Sequence, residues 1–269
     1  MLKKNLNIAK KYYEYSSLLN NSDALLSLGI FYYYGYNVVI NYNLAIQFFE
    51  SSAKLNNTEA LFLLADIYSS GQNVDLDIQK SIFYLKKCIK LKEEEFKITF
   101  INGVIVTYNR LNKYFYPANN NLGLINLFYL GKFNEAIEYI KTSAYAEYPH
   151  AQNNLGLIYL FYENDIENAK YMFNKSSKSK FALAEYNLGY LSEKQGNINE
   201  AFDFYIQVSD HENEPLIFHS NKYYDVKLEI SKKFVICFTN MKITEYFISL
   251  KEYKKAKNFF IRSIFNESN

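Results

Sequence analysis

Small and apolar residues near the start of the chain recur at spacings that place them on one face of an α-helix. Ala24, Leu28, Gly29 and Tyr32 stand at offsets of 0, 4, 5 and 8. Residues three or four apart share a helix face, and Leu28 and Tyr32 are separated by one turn. The pattern predicts a helix near residues 23–34.

A second amphipathic segment follows, in which Ala45 and Phe48 mark the apolar face. The first pattern begins again at Ala60, 36 residues after Ala24. Neither helix of such a pair can bury its apolar face alone, so the pairs pack against copies of themselves. The period predicts stacked helix pairs, whose next helices lie near residues 41–55, 58–70 and 75–91.

The same signature returns in the second half of the chain with a shorter period. A Leu-Gly pair at 122–123 recurs at 155–156 and 188–189, at intervals of 33 residues. The shorter period predicts tighter turns between the helices, since three residues are missing from each repeat. Each of these three repeats has a small residue near the start of its first helix and another near the start of its second helix. These residues are Ala118 and Ala136, Ala151 and Ala169, and Ala184 and Ala201.

The size of the recurring residues predicts how the two helices of a pair cross. Gly29 has no side chain, so the second helix can approach its backbone closely. Tyr32 covers the crossing, Ala45 makes room for that ring, and Phe48 is expected to fill the gap to the next repeat. Gly35 and Gly71 are suited to the left-handed position that ends a helix.

Two segments interrupt the period. At residues 93–117 the expected small residue is replaced by Phe96. We interpret 94–110 as one helix that begins with Glu93-Glu94-Glu95, where negative charge is favourable. Residues 210–222 include Pro215 and are expected to form an irregular connection before a helix near 223–237.

The pattern divides the chain into a series of segments. A half repeat with Ala9 and Tyr12 caps the start, and a last helix pair, whose second helix carries Ala256 and Phe259, caps the end. The predicted segments are a capping half repeat (1–22), two longer repeats (23–92), a degenerate repeat (93–117), three shorter repeats (118–209), a connection with one helix (210–238) and a capping pair (239–269).

The motif Ala-x-x-x-Leu-Gly-x-x-Tyr-x-x-Gly, followed by Val, Asn, Ala and an aromatic residue, resembles the Sel1-like repeat, the longer-loop relative of the tetratricopeptide repeat. The best match is residues 24–56, and repeats from 118 to 209 are closer in length to plain tetratricopeptide units. The resemblance implies an all-α, right-handed superhelical solenoid of antiparallel helix pairs. It also implies an adaptor whose first helices line a concave face.

Composition narrows the functional classes. The 269 residues carry a net charge of +2, which gives no strong basic field for nucleic acid. Cys88 and Cys237 are too far apart for a zinc motif or a disulfide framework, and are expected to be buried thiols in a reducing cytoplasm. No signal peptide and no run of about 18 apolar residues is visible, so no membrane span is expected.

The concave face carries one recurrent polar group, an asparagine directly before each later Leu-Gly pair. An asparagine side chain both donates and accepts hydrogen bonds, so a row of them could hold the backbone of an extended peptide. The predicted peptide-binding residues are these three asparagines and their apolar neighbours: Asn121, Asn154, Asn187, Tyr33, Tyr34, Phe62, Leu124, Phe128, Leu157, Phe161, Tyr186 and Tyr190. Asp66 is a further predicted neighbour of this groove.

The sequence gives little evidence for a catalytic site or a cofactor-binding site. Asp210, His211, Glu212, Glu214 and His219 cluster in the irregular connection, but without helical metal-ligand spacing. The sequence favours a non-catalytic scaffold that binds a protein or peptide and needs no cofactor. Two alternatives stay open: a repeat-fold hydrolase of the cysteine-rich bacterial type, and a helical-repeat RNA binder.

Overall fold

The computed structural model describes residues 2–71, 73–99, 105–210 and 239–247, together with a few positions from 249 to 258. The chain forms two compact units, Met1–Ser143 and Ala144–Asn269. The helices described are α1 (Leu2–Leu18), α2 (Ser22–Tyr34), α3 (Tyr42–Lys54), α4 (Thr58–Ser70), α5 (Ile78–Lys90), α6 (Phe115–Phe128), α7 (Phe133–Ala144), α8 (Pro149–Phe161), α9 (Ile166–Ser177), α10 (Ala182–Lys194) and α11 (Ile198–Asp210). Residues 239–247 are also helical.

Consecutive helices pack as the period predicts. In the first unit α2 packs on α3 and α4 on α5, while α3 also contacts α4 of the next pair. In the second unit α8 packs on α9 and α10 on α11, and α9 contacts α10. The predicted fold of stacked helix pairs is confirmed. The helix predicted near 223–237, Cys237 and the residues around His211 and His219 lie outside the described part of the chain.

The helix predicted over 94–110 is wrong. This segment contains two antiparallel strands, β1 (Glu93–Thr99) and β2 (Ile105–Leu111), with Glu93 opposite Leu111 and Phe96 opposite Tyr108. The hairpin stands between α5 and α6, which pack on each other. The repeat stack therefore continues past the inserted strands, and the glutamates at 93–95 belong to β1 instead of a helix start.

The glycine of each Leu-Gly pair is where the two helices approach most closely. A Cβ atom built on Gly29 would lie 2.4 Å from the ring of Phe49 and 3.1 Å from the carbonyl oxygen of Ala45. The same crowding recurs at Gly123 against Ile140, at Gly156 against Phe173 and at Gly189 against Tyr205. The predicted close approach at Gly29 is confirmed.

The ring that faces this glycine belongs to Phe49, a residue that the sequence analysis did not single out. Phe48 was expected to fill the gap to the next repeat, but it stacks on Tyr32 of its own repeat, with ring centroids 5.7 Å apart. Phe49, one residue later, is the fully buried ring beneath Gly29. Phe48 therefore packs within its own repeat, and Phe49 fills the space beneath Gly29.

Asparagine residues stabilise many of the helix ends. The side chains of Asn21, Asn41 and Asn57 each accept a hydrogen bond from a backbone N–H in the first turn of the following helix. Other asparagines adopt the left-handed backbone conformation, in which Asn is enriched: Asn20, Asn37, Asn56, Asn73 and Asn164. Gly35 and Gly71 end α2 and α4 in this conformation, as predicted.

A second recurrent contact, missed in the sequence, joins the second helices α3, α5, α7 and α9 to the start of their first helices. The Ser52 hydroxyl donates to the carbonyl oxygen of Ser22, 2.7 Å away. The residue lies seven positions after the second-helix alanine, and its equivalents make the same bond: Cys88 to Thr58 at 3.7 Å, Ser143 to Tyr116 at 2.7 Å and Ser176 to Pro149 at 2.8 Å.

We expect Ser176→Ala to lower the free energy of unfolding by about 1 kcal/mol, because it removes one buried hydrogen bond. Ser177→Ala is the matched control, since among the described residues the Ser177 hydroxyl bonds to Asn174 of its own helix and to no other helix. Denaturant unfolding followed by circular dichroism measures both variants. Equal stability of the two would show that the bond to Pro149 does not fasten the pair.

Candidate protein-binding surface

In the second unit, α8 carries three of the predicted binding residues one turn apart. Asn154, Leu157 and Phe161 follow each other at intervals of three and four residues, so they share one face of the helix. Asn154 and Leu157 are half-buried, whereas Phe161 is 66% exposed. We call these three residues the α8 stripe.

Leu157 also packs against the core between α9 and α10. That core contains the buried side chains of Phe173, Leu188 and Leu191. The α8 stripe is therefore anchored at its centre by ordinary repeat packing. Its exposed end, Phe161, is the part that remains available to a partner.

The neighbouring helix α10 repeats the arrangement with different chemistry. Asn187 and Tyr190 are half-buried at the positions equivalent to Asn154 and Leu157. The ammonium group of Lys194 lies 5.5 Å from the centre of the Tyr190 ring. A cation over an aromatic face is attracted by the ring quadrupole, so this contact favours the observed position of the Tyr190 ring.

One residue of the asparagine row, Asn187, forms a hydrogen bond to the preceding repeat. The Asn187 amide nitrogen donates to the side-chain oxygen of Asn153, 2.8 Å away. Asn153 is the residue directly before Asn154 and is 4% exposed. Asn187 stands directly before the Leu-Gly pair of α10, and its partner Asn153 stands two residues before the Leu-Gly pair of α8. The bond therefore joins non-equivalent positions of adjacent repeats.

Sequence reasoning missed a set of buried polar residues on the first helices. They stand one or two positions before the asparagine row, where a polar residue is normally hydrogen-bonded if buried. Gln152 donates to the carbonyl oxygen of Ala144, 3.3 Å away, and Asn119 donates to that of Phe115, 2.8 Å away. The signal was their recurrence at a 33-residue interval: Asn119, Gln152 and Glu185, with Asn120 and Asn153 beside them, are all buried.

Tyr186 belongs to the packing between α10 and α11. Its ring lies 5.6 Å from that of Tyr205 and packs against the core formed with the 239–247 helix. Burial raises the pKa of Tyr186 above its ordinary value. The hydroxyl therefore stays protonated at neutral pH.

In the first unit, α6 presents an equivalent stripe. Asn121 and Leu124 are half-buried, and Phe128 is 69% exposed. The Asn121 side-chain oxygen accepts a hydrogen bond of 3.3 Å from Asn120. Phe128 thus has the same exposed position on α6 that Phe161 has on α8.

Of the remaining predicted residues of the first unit, Tyr33, Phe62 and Asp66 lie in the core, whereas Tyr34 is half-buried. Tyr33 is 5% exposed and packs against Tyr42, with ring centroids 5.2 Å apart. Phe62 is 4% exposed and stacks on Tyr114 at 5.1 Å. Tyr34 is half-buried and stacks on Tyr36 at 5.6 Å. Asp66 is also buried.

The histidine and the cysteine that the structure describes, His150 and Cys88, pack against neighbouring side chains or lie buried. His150 lies between aromatic rings, 5.2 Å from Tyr148 and 4.4 Å from Phe181. Cys88 is a buried free thiol, as predicted. No group of three His, Cys, Asp or Glu residues suited to a metal ion occurs among the described residues. In the same part of the chain, no helix combines the length and apolar character needed to cross a bilayer.

Comparison with known proteins identifies the repeat. The family model of the Sel1 repeat matches residues 1–21, 22–57, 58–91, 149–180 and 182–211. A search of the curated proteins found no match.

Solved structures share the fold at low sequence identity. A Sel1 repeat protein from Oxalobacter formigenes aligns with a TM-score of 0.57 and 21% identity, over 78% of this chain and 84% of that one. The antigen c5321 of uropathogenic Escherichia coli, which has an SLR fold, gives 0.56 and 17% over 95% and 56%. The apo quorum sensor NprR from B. thuringiensis gives 0.52 and 13% over 99% and 82%.

Proposed function

The chain belongs to the Sel1 repeat family, and we propose that it is a non-catalytic scaffold that holds an extended segment of a partner protein against its first helices. Sel1 repeat proteins are generally protein-interaction scaffolds. The observation that carries the finer proposal is the exposure of Phe161 at the end of the α8 stripe. A large aromatic ring left in water is a ready anchor for a partner side chain.

A polar group on the neighbouring helix α10 suits recognition of a peptide backbone. Asn187 has donated one N–H to Asn153. An asparagine amide has a second N–H and a carbonyl oxygen, so Asn187 can still bond to a bound chain. Backbone amides are common to all peptides, so this contact would add affinity without selecting a sequence.

Charge favours a partner segment with apolar side chains. The α8 stripe has no charged residue, and Lys194 is the cation at the equivalent site on α10. A groove that bound nucleic acid would need a row of cations for phosphate contacts. The partner we propose is therefore a protein segment whose apolar side chain packs on Phe161.

We also place the scaffold in the cytoplasm. Cys88 is a free thiol that is fully buried and donates to the carbonyl oxygen of Thr58. Free thiols persist in reducing compartments. Recovery of the chain from a cytoplasmic fraction, with Cys88 reduced, is the expected result.

Phe161→Ser should weaken peptide binding by about tenfold or more, because it removes the exposed anchor. Peptides are first selected from a random display library on the full chain, and their affinities are then measured by calorimetry. Tyr171→Ser on α9 is the matched control, since Tyr171 is 52% exposed on a second helix. Selected peptides that bind both variants equally would place the binding surface elsewhere.

A further inference from the structure

A polar cleft lies in the first unit, between α3 and the loop that joins α4 to α5. Its volume is about 680 Å³, within the range of about 300–1,000 Å³ that is usual for ligand sites. The walls come from α3, the loop and the first turn of α5, with Tyr68 from the end of α4. The α8 stripe belongs to the second unit, so this cleft is a separate site.

One carboxylate in the cleft is neutralised by the chain itself. Asp77 caps α5 by accepting a 2.9 Å hydrogen bond from the backbone N–H of Lys80, and its other oxygen lies 3.7 Å from the Lys80 ammonium group. That ammonium group also lies 4.7 Å from the centre of the Tyr68 ring. Asp77 and Lys80 are therefore already paired.

A second carboxylate, Asp75, has no such partner. Asp75 is exposed on the loop, and among the described residues it forms no hydrogen bond or ion pair. The cleft thus has one open negative charge. A cationic group would be attracted to it, and an anionic group would be repelled.

Two amide side chains line the cleft from α3. Asn43 and Gln47 stand four residues apart, so they share one face of the helix. Both are exposed, and neither side chain is hydrogen-bonded within the part of the chain that the structure describes. Each amide can donate and accept, so the pair can bond to both polar groups of a peptide unit.

The preceding repeat shows that an amide fits this place. Asn7 stands 36 residues before Asn43, and Asn37 stands 36 residues before Asn73. The Asn37 amide nitrogen donates to the side-chain oxygen of Asn7, so there the loop itself bonds to the helix. Asn73 donates instead to the Tyr33 hydroxyl, 3.3 Å away. Asn43 is therefore left open to an amide from another molecule.

Aliphatic side chains complete the cleft. Ile46 and Val74 are half-buried, and Leu76 is 55% exposed. The methylene groups of a lysine or arginine side chain pack on such surfaces while the charged end stays in water. The cleft thus combines an apolar strip with an open carboxylate.

We propose that this cleft binds a short peptide segment of a partner protein through a lysine or arginine side chain. The cation pairs with Asp75, and its methylene groups pack on Leu76. Asn43 and Gln47 bond to the adjoining peptide group. The open charge selects a basic segment and rejects an acidic one.

The probe is the blocked peptide acetyl-Ala-Lys-Ala-amide, added to the full chain labelled with ¹⁵N. We expect saturable chemical-shift changes at the side-chain amides of Asn43 and Gln47 and at the backbone of Asp75. The same peptide with norleucine in place of lysine keeps the methylene groups without the charge, and should bind about fivefold more weakly. The peptide with glutamate in place of lysine should bind more weakly still.

Asp75→Asn should lower the affinity for the lysine peptide about fivefold and remove its advantage over the norleucine peptide. Asp203→Asn is the matched control, since Asp203 is exposed on α11 in the second unit and makes the same change of charge. Phe161→Ser should leave binding of the lysine peptide unchanged, so failure of this site is distinguishable from failure of the α8 stripe. The proposal is overturned if the lysine and norleucine peptides bind equally, if Asp75→Asn keeps the preference for lysine, or if the shift changes lie outside the cleft.

Discussion

Replacing Gly156 by leucine is expected to lower the free energy of unfolding by about 3 kcal/mol, as overpacking of a tight core does. A single Cβ at this position would already stand 2.6 Å from the ring of Phe173. Phe173 is completely buried and packs with Leu188 and Leu191, so its ring has little space to move. The larger side chain must push α8 and α9 apart.

Denaturant unfolding measures this loss, and two further variants locate its cause. Gly131→Asn should cost less than about 1 kcal/mol, because Gly131 has φ +64° and a Cβ added there would meet no atom within 4 Å, and asparagine tolerates this backbone conformation. Gly156→Ala combined with Phe173→Leu should be less unstable than the sum of the two single changes, because the smaller side chain yields the space. Strict additivity would mean that the Gly156–Phe173 contact is not what limits the site.

The helix pairs could be predicted because side-chain size recurs in phase. Gly29, Gly123, Gly156 and Gly189 mark the crossings, and the structure crowds every one of them. The ring that meets Gly29 could not be identified from the sequence, because Phe48 is the motif residue and Phe49 stands directly beside it. Adjacent residues on a helix point in directions about 100° apart. A repeat pattern that is aligned only to within one residue therefore cannot tell which of the two rings faces the glycine.

The hairpin was missed because the expected repeat was given more weight than the local sequence. Residues 105–108 read Ile-Val-Thr-Tyr, which favours a strand, and Asn102-Gly103 between two such runs is a common hairpin signal. The helix over 94–110 was inferred from the position of a missing repeat. Local propensity agreed with β1 and β2 and decided the structure.

The asparagine row shows what a recurrent position can and cannot reveal. The 33-residue interval correctly identified a set of equivalent first-helix positions. It could not say that Asn187 would bond to Asn153, because that contact joins different positions of adjacent repeats. It also could not distinguish core from surface, since Tyr33 is buried while Phe161 is exposed.

Tyr205→Ala is expected to destabilise the second unit by about 3–5 kcal/mol, the usual cost of deleting a buried aromatic ring. Tyr205 is completely buried and forms a core with Ala201, Ile243 and Phe247. Its ring also fills the space beneath Gly189. Thermal and denaturant unfolding should show this loss, whereas Tyr171→Ala at an exposed position should cost less than about 1 kcal/mol. Similar values for the two would show that Tyr205 does not join α10 and α11 to the last described helix.

Tyr205→Phe separates the hydroxyl from the ring and should cost only about 1–2 kcal/mol. Burial disfavours the charged Glu193 carboxylate, but hydrogen bonds from Lys242 and Tyr205 outweigh it and hold the pKa of Glu193 below its ordinary value. A lowered carboxylate pKa stabilises the fold above the unfolded pKa, and this stability is lost as pH falls through the folded pKa. Removing one donor raises the folded pKa, so stability measured against pH should begin to fall at a higher pH in Tyr205→Phe. An unchanged acid limb, with the ring still packed, would mean that the hydroxyl does not support the Glu193 charge.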